Sequence, residues 1–119
     1  MIFTVPAFAQ FQTAIAATVD SGDTISTTAD MLEGQLISVT FPSHVTDSLV
    51  IIQHSDVDTS GFTVAYFDSL NTPAVFNVVA RPGATVAINR EKTYFLKRYL
   101  RVQTAGTDTL QTIFKLNKK

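Results

Sequence analysis

The segment SDVDTSGF, residues 55–62, has residue types and a spacing that could do chemistry. Asp56, Asp58 and Ser60 alternate before a glycine, which is the first half of a calcium loop built from oxygen ligands. Such a loop also requires a bidentate carboxylate further along, and Phe67 stands there instead. Hairpin turns use the same residue types, because short polar side chains cap nearby backbone N–H groups. Calcium binding and an ordinary turn are therefore both open for this segment.

The histidines and serines of the chain do not lie in sequence patterns that bind metals or perform catalysis. His44 and His54 have no cysteine partner anywhere in the chain and no histidine four residues away, so we predict no metal site of this kind. The sequence contains no G-x-S-x-G elbow, no G-x-G-x-x-G fingerprint and no phosphate-binding loop. We therefore predict a protein that is not an enzyme, with no catalytic residues and no cofactor.

The basic segment KTYFLKRYLRVQT, residues 92–104, can be interpreted in two ways. A helix would place aromatic and leucine side chains on one face and bases on the other, which is typical of membrane or nucleic-acid binding. A strand would place Lys97, Tyr99, Arg101 and Gln103 together on one face. The segment is short and bounded by turn sequences, so we predict a strand with an outward basic row. Such a row can contact a partner, stack on a sugar or nucleic acid, or prevent edge pairing.

Charge is distributed unevenly along the chain. Residues 1–80 carry eight acidic side chains and no base, a net charge of −8, while residues 81–119 carry nine bases against two acids, a net charge of +7. The two halves can neutralise each other within one fold, or they can meet between neighbouring molecules. The sequence pI of about 6.0 disfavours nucleic acid as the partner.

Short β-rich runs separated by turn sequences predict an all-β protein, an antiparallel β-sandwich, jelly-roll-like, of about eight strands. The predicted strands lie near residues 12–19, 24–29, 35–41, 49–54, 62–67, 74–79, 84–89, 94–103 and 109–116. We predict an N-terminal arm over residues 1–20 and a β-sandwich domain over residues 21–119. The first 20 residues lack the basic start of a signal peptide, and no stretch approaches the roughly 20 apolar residues of a membrane span. We therefore expect a soluble protein without a membrane partner.

Four segments in order resemble a β-sandwich module of tailed-bacteriophage virions, which recurs in head decoration proteins and in tail or fibre proteins. These segments are GQLISVTFP (34–42), LVIIQHSD (49–56), GFTVAYFD (61–68) and RYLRVQTAGT (98–107), and the resemblance spans roughly residues 24–116. It implies a structural protein on the capsid surface of the virion, a decoration or cement protein bound to the major capsid protein. The alternative it implies is a tail-associated or fibre-tip module that binds a host glycan or receptor.

A decoration protein works in many copies, so we expect a homo-oligomer, either a trimer or a dimer. The contact residues we predict are aromatic side chains of the arm and the outward row of the basic segment. They are Phe3, Phe8, Phe11, Lys97, Tyr99 and Arg101.

Overall fold

Two antiparallel sheets packed face to face form the fold, as the computed structural model of the chain shows. The structure describes residues 13–45, 49–57, 60–69, 72–88, 93, 95–106 and 110–119. Within these ranges there is no helix, and hence none that could cross a membrane. The strands are β1 (Thr13–Val19), β2 (Ala29–Asp30), β3 (Leu36–Thr40), β4 (Leu49–Ser55), β5 (Thr63–Val64), β6 (Tyr66–Ser69), β7 (Thr72–Val75), β8 (Asn77–Val79), β9 (Thr85–Ala87), β10 (Tyr99–Thr104) and β11 (Thr112–Lys118).

The order of strands is that of a jelly roll. The first sheet has the order β1-β11-β3-β9, and the second has β2-β10-β4 with β5 and β8 on the far side of β4. The strands β1 to β4 alternate between the two sheets, and the strands β8 to β11 alternate in the same way. Two Greek-key connections of this type produce the double-sheet jelly roll. The predicted fold class is therefore confirmed.

The strands β5 and β8 form one line along β4, interrupted by a hairpin. Val64 lies opposite Gln53 and Asn77 lies opposite Ile51, so a single position opposite Ile52 remains between them. Two residues share that position, because Ala65 donates its N–H to the Ile52 carbonyl and Phe76 accepts from the Ile52 N–H. The hairpin β6–β7 between them is an insertion, and without it the sandwich has eight strand positions.

The core lies between the sheets and is built from inward-facing apolar side chains of both. Phe41 and Phe114 pack edge to face with ring centroids 5.7 Å apart. Phe76 and Phe95 extend the aromatic packing at a centroid distance of 6.2 Å. The buried apolar residues are Ala17, Val19, Ala29, Met31, Leu36, Val39, Phe41, Val45, Val50, Ile52, Ala65, Phe76, Val78, Leu100, Val102, Phe114 and Leu116.

Part of the predicted N-terminal arm is an edge strand of the sandwich. β1 pairs with β11 along its whole length, from Thr13 opposite Lys118 to Val19 opposite Thr112. Its inward side chains include Ala17 and Val19, which are buried in the core. The remainder of the predicted arm, residues 1–12, lies outside the described residues.

The bounds of several predicted strands differ in the structure, and two of these strands are shortened where the chain crosses between the sheets. The strand expected at 94–103 begins only at Tyr99, because the chain turns where the Leu96 N–H bonds to the Thr93 carbonyl at 3.1 Å. The strand expected at 24–29 is a single bridge between Ile25 and Gln103 followed by β2. In both places the local residues favour a strand, and the crossing between sheets shortens it.

Candidate binding face

The outer surface of the second sheet, which we call the binding face, carries two of the predicted contact residues. Along β10, Leu100 and Val102 point into the core, while Tyr99, Arg101 and Gln103 are half-buried on the outside. This is the period-two alternation of a strand covered on one side. Tyr99 and Arg101 therefore lie on one face of the sheet, as the strand interpretation requires.

Arg101 occupies the middle of the binding face in a fixed orientation. Its Nε and Nη2 atoms donate to Oε1 of Gln53 at 3.2 and 2.8 Å, and Gln53 in turn donates to Oε1 of Gln103 at 2.9 Å. The guanidinium carbon lies 4.0 Å from the centroid of the Phe62 ring, which is cation–π geometry. Among the described residues no carboxylate pairs with this guanidinium. Arg101 therefore presents a positive charge that is oriented and that no carboxylate of the described residues neutralises.

Arg98 shows the opposite arrangement at the edge of the same face. Its Nε and Nη2 atoms donate to both carboxylate oxygens of Asp30 at 2.8 and 3.0 Å, and its guanidinium lies 5.0 Å from the Tyr99 ring centroid. The hydrogen bond from Arg98, supported by one from the Leu32 N–H, lowers the pKa of Asp30 from 3.8 to about 2. Asp30 is thus ionised at neutral pH and compensates the charge of Arg98.

An apolar patch lies on the other side of the binding face, along β4 and β8. Leu49 and Val79 are directly opposite each other and are 42% and 50% exposed. Ile51 is half-buried beside them and faces the same side, since its neighbours Val50 and Ile52 point into the core. Exposed apolar side chains on the same sheet face as an arginine and a tyrosine are a composition found in protein-binding surfaces.

Lys97 lies at the border of the binding face, outside the strand. Its Nζ atom is 3.3 Å from the Asp56 carboxylate, and the side chains of Lys97 and Asp56 are 44% and 75% exposed. The outward row predicted from the sequence therefore begins at Tyr99, because the chain enters β10 only there. Whether Lys97 contacts a partner stays a prediction, and Phe3, Phe8 and Phe11 lie outside the described residues.

The segment considered for calcium is organised around a serine. Ser55 Oγ accepts a hydrogen bond from the Val57 N–H at 3.0 Å and donates to the Ser60 carbonyl at 2.6 Å. Asp56 faces Lys97, and Asp58 lies outside the described residues. In the part of the chain that the structure describes, no three His, Asp or Glu side chains gather in a group that could hold a metal ion. The calcium hypothesis stays a prediction.

His54 packs beneath the segment that leads into β10. Its ring meets Phe95 edge to face at a centroid distance of 6.0 Å, and the Lys97 N–H approaches Nδ1 at 3.4 Å. Burial, followed by the nearby Lys97 charge, lowers the pKa of His54 below its usual 6.5. The neutral ring therefore supports the entry to the binding face. His44 has a different contact, between Nε2 and the Gln111 carbonyl at 3.0 Å.

Sequence reasoning missed the residues that orient Arg101 and the apolar pair on the same face. Gln53 and Leu49 lie on β4, Val79 lies on β8 and Phe62 directly precedes β5, and only the register along β4 places these segments on one face. The alternation within a predicted strand indicates which of its residues point outward. It does not indicate which strands are neighbours in the sheet.

The fold and the binding face define the chain as a jelly-roll β-sandwich with one mixed apolar and cationic sheet surface. Comparison with protein-family models, with curated proteins and with solved structures finds no match to this chain.

Proposed function

We propose that this chain is a capsid decoration protein, a non-enzymatic structural protein that binds to the outside of a bacteriophage head through the binding face. The observation that carries the proposal is Arg101, which lies over the Phe62 ring, is hydrogen-bonded to Gln53 and has no carboxylate paired with it among the described residues. An oriented arginine loses little conformational freedom when it binds a carboxylate, so it is suited to anchor an interface. The resemblance to virion modules supports the choice of a capsid as the partner.

The apolar patch on the same sheet face provides the second part of the interface. Burial of Leu49 and Val79 against a partner removes apolar surface from water, while Arg101 selects a position beside an acidic side chain. A protein that binds across neighbouring capsid subunits stabilises the assembled state by mass action. Its function is thus to raise the force or temperature needed to separate the subunits, and the major capsid protein is the proposed partner.

The first experiment is to count the copies of this chain in purified particles relative to the major capsid protein by quantitative mass spectrometry. We expect a number equal to the capsid copy number or to a simple fraction of it. Absence from particles contradicts the virion assignment, and a few copies per particle contradict the decoration role.

A second experiment tests the binding face itself. Arg101→Ala should weaken binding to heads that lack this protein by about tenfold or more, which is typical of an interface anchor. Lys115→Ala is the matched control, since Lys115 is an exposed base on the outer face of the opposite sheet. Equal losses for both variants would indicate a general charge effect and contradict the assignment of the face.

The alternative function, a tail or fibre module that binds a host glycan, has one observation in its favour. The binding face presents the Tyr99 ring on the same side of the sheet as the amides of Gln53 and Gln103, and sugars bind to surfaces that combine aromatic and amide groups. A low copy number together with glycan-array binding that Tyr99→Ala abolishes would select this function over decoration.

A further inference from the structure

The first sheet ends in a long edge strand whose outward backbone groups are suited to pair with another strand. β1 has seven residues, whereas the other edge strands of the two sheets, among the described residues, have two or three. Its sequence TAIAATV contains no charge and no proline, and its pairing with β11 has no bulge. Short strands, charges, prolines and bulges are the features that normally protect a sheet edge from pairing. β1 has none of them.

The contacts of Thr18 with Thr27 show which backbone N–H and carbonyl groups of β1 point away from β11. The N–H and carbonyl of Thr18 both point away from β11, since they bond to the side chain and N–H of Thr27 at 3.0 and 2.8 Å. Strand residues alternate in direction, so the N–H and carbonyl of Ala14 and Ala16 also point to the open edge. Within the described residues these four groups have no strand beside them.

The open edge is symmetric about Ile15, which lies between Ala14 and Ala16. If a second β1 runs antiparallel about a two-fold axis at Ile15, Ala14 of each copy lies opposite Ala16 of the other. Each of these two pairs exchanges both N–H···O bonds, so all four outward groups are satisfied. The two Ile15 residues then face each other directly as a non-hydrogen-bonded pair.

We propose that two copies of this chain associate through β1 and form one continuous eight-stranded sheet. The side chains favour a second copy as the occupant of the edge. Ala14 and Ala16 are small and exposed on the outer surface, while Ile15 is half-buried and packs against the core, so the two Ile15 side chains extend the core across the axis. Because β1 carries no charge, no like charges meet in the pair. The two-fold arrangement uses the open edge of both copies and is therefore closed.

A single engineered cysteine tests this register, because the natural chain has none. In a non-hydrogen-bonded antiparallel pair the Cα atoms are about 4.5 Å apart, which is within the range that a disulfide bridges. We expect Ile15→Cys, treated with diamide, to run mainly as a covalent dimer on a non-reducing gel. Ile113→Cys, an exposed position on the neighbouring strand, is the matched control and should stay monomeric. Equal cross-linking of the two variants would overturn the proposed register.

Sedimentation velocity of the full chain supplies an independent measurement. Ala16→Pro removes an outward N–H without touching the bonds to β11, so the fold should persist while the dimer becomes a monomer. Ala16→Ser keeps that N–H and should sediment like the natural chain. If the natural chain sediments as a monomer at high concentration, the proposal is overturned. Slow amide exchange at Ala14 and Ala16 in that monomer would then show that other residues of the same molecule cover the edge. The pairing does not depend on a capsid, so failure of this test leaves the proposed decoration role unaffected.

Discussion

At the scale of single residues, the local surroundings of a side chain decide its charge and its role. Arg98 and Arg101 are three positions apart on the chain, yet Asp30 compensates the charge of Arg98, whereas the partner of Arg101 among the described residues is a neutral amide. His54 is kept neutral because it is partly buried under the Phe95 ring and close to Lys97. These differences depend on the neighbours across the sheet, and each has a measurable consequence.

His54 should make the stability of the protein depend on pH. Its pKa in the fold is below 6.5, so the unfolded chain binds the proton first as the pH falls. The free energy of unfolding should therefore decrease as the pH falls through 6.5 towards the folded pKa of His54. Urea unfolding between pH 5 and pH 8 measures this dependence, and His54→Gln should reduce it. His44→Gln is the control, and a slope that disappears in the control but persists in His54→Gln would contradict this assignment.

At the scale of strands, the core depends on a few large side chains on the inner faces. Phe114 on β11 is fully buried and packs against Phe41, so Phe114→Ala should lower the free energy of unfolding by about 3–5 kcal/mol. Its neighbour Ile113 points outward, and Ile113→Ala should change the stability by less than about 1 kcal/mol. Chemical denaturation followed by circular dichroism measures both. If Phe114→Ala does not fold, Phe114→Leu should fold and still be less stable than the natural chain. Equal losses of stability for the variants at 113 and 114 would contradict the assignment of Phe114 to the core and Ile113 to the surface.

The hairpin β6–β7 should be removable, because the strands on either side of it are in line along β4. Deletion of residues 65–75 joins Val64 to Phe76 and places Phe76 alone opposite Ile52, where its N–H can replace that of Ala65. We expect a folded protein with a single cooperative thermal transition. Deletion of residues 66–75 leaves both Ala65 and Phe76 at that position and should melt at a lower temperature. The reverse order of the two melting temperatures would show that β5 and β8 do not form one line.

At the scale of the whole molecule, β1 belongs to the sandwich and residues 1–11 precede it. Among the described residues the buried core begins at Ala17, so a chain lacking residues 1–11 should keep its β-sheet circular dichroism. A chain lacking residues 1–20 loses β1, removes Ala17 and Val19 from the core and exposes an edge of β11, so it should unfold or aggregate. Loss of structure in the shorter deletion would show that residues 1–11 are also part of the core.

Much of the fold could be predicted from the sequence, and less of the candidate site. The alternation in QLISVTF indicates a strand at β3 and the short apolar run in LVIIQH indicates one at β4, and turn residues separate the runs, because the pattern of a strand is a local property. The outward positions of Tyr99 and Arg101 follow from the same alternation. The contacts of Arg101 with Gln53 and Phe62 do not, since each joins residues roughly 40 or more positions apart.

The sequence by itself therefore determined the all-β class and most strand positions, together with the concentration of basic residues in the last third of the chain. The tertiary structure alone decided the order of strands in the two sheets, the insertion between β5 and β8, and the membership of β1 in the sandwich. It also decided that Arg98 is the arginine that pairs with Asp30. The physical reason is that strand formation depends on the nearest few residues, whereas register and charge compensation depend on cross-strand neighbours that only the packing of the two sheets brings together.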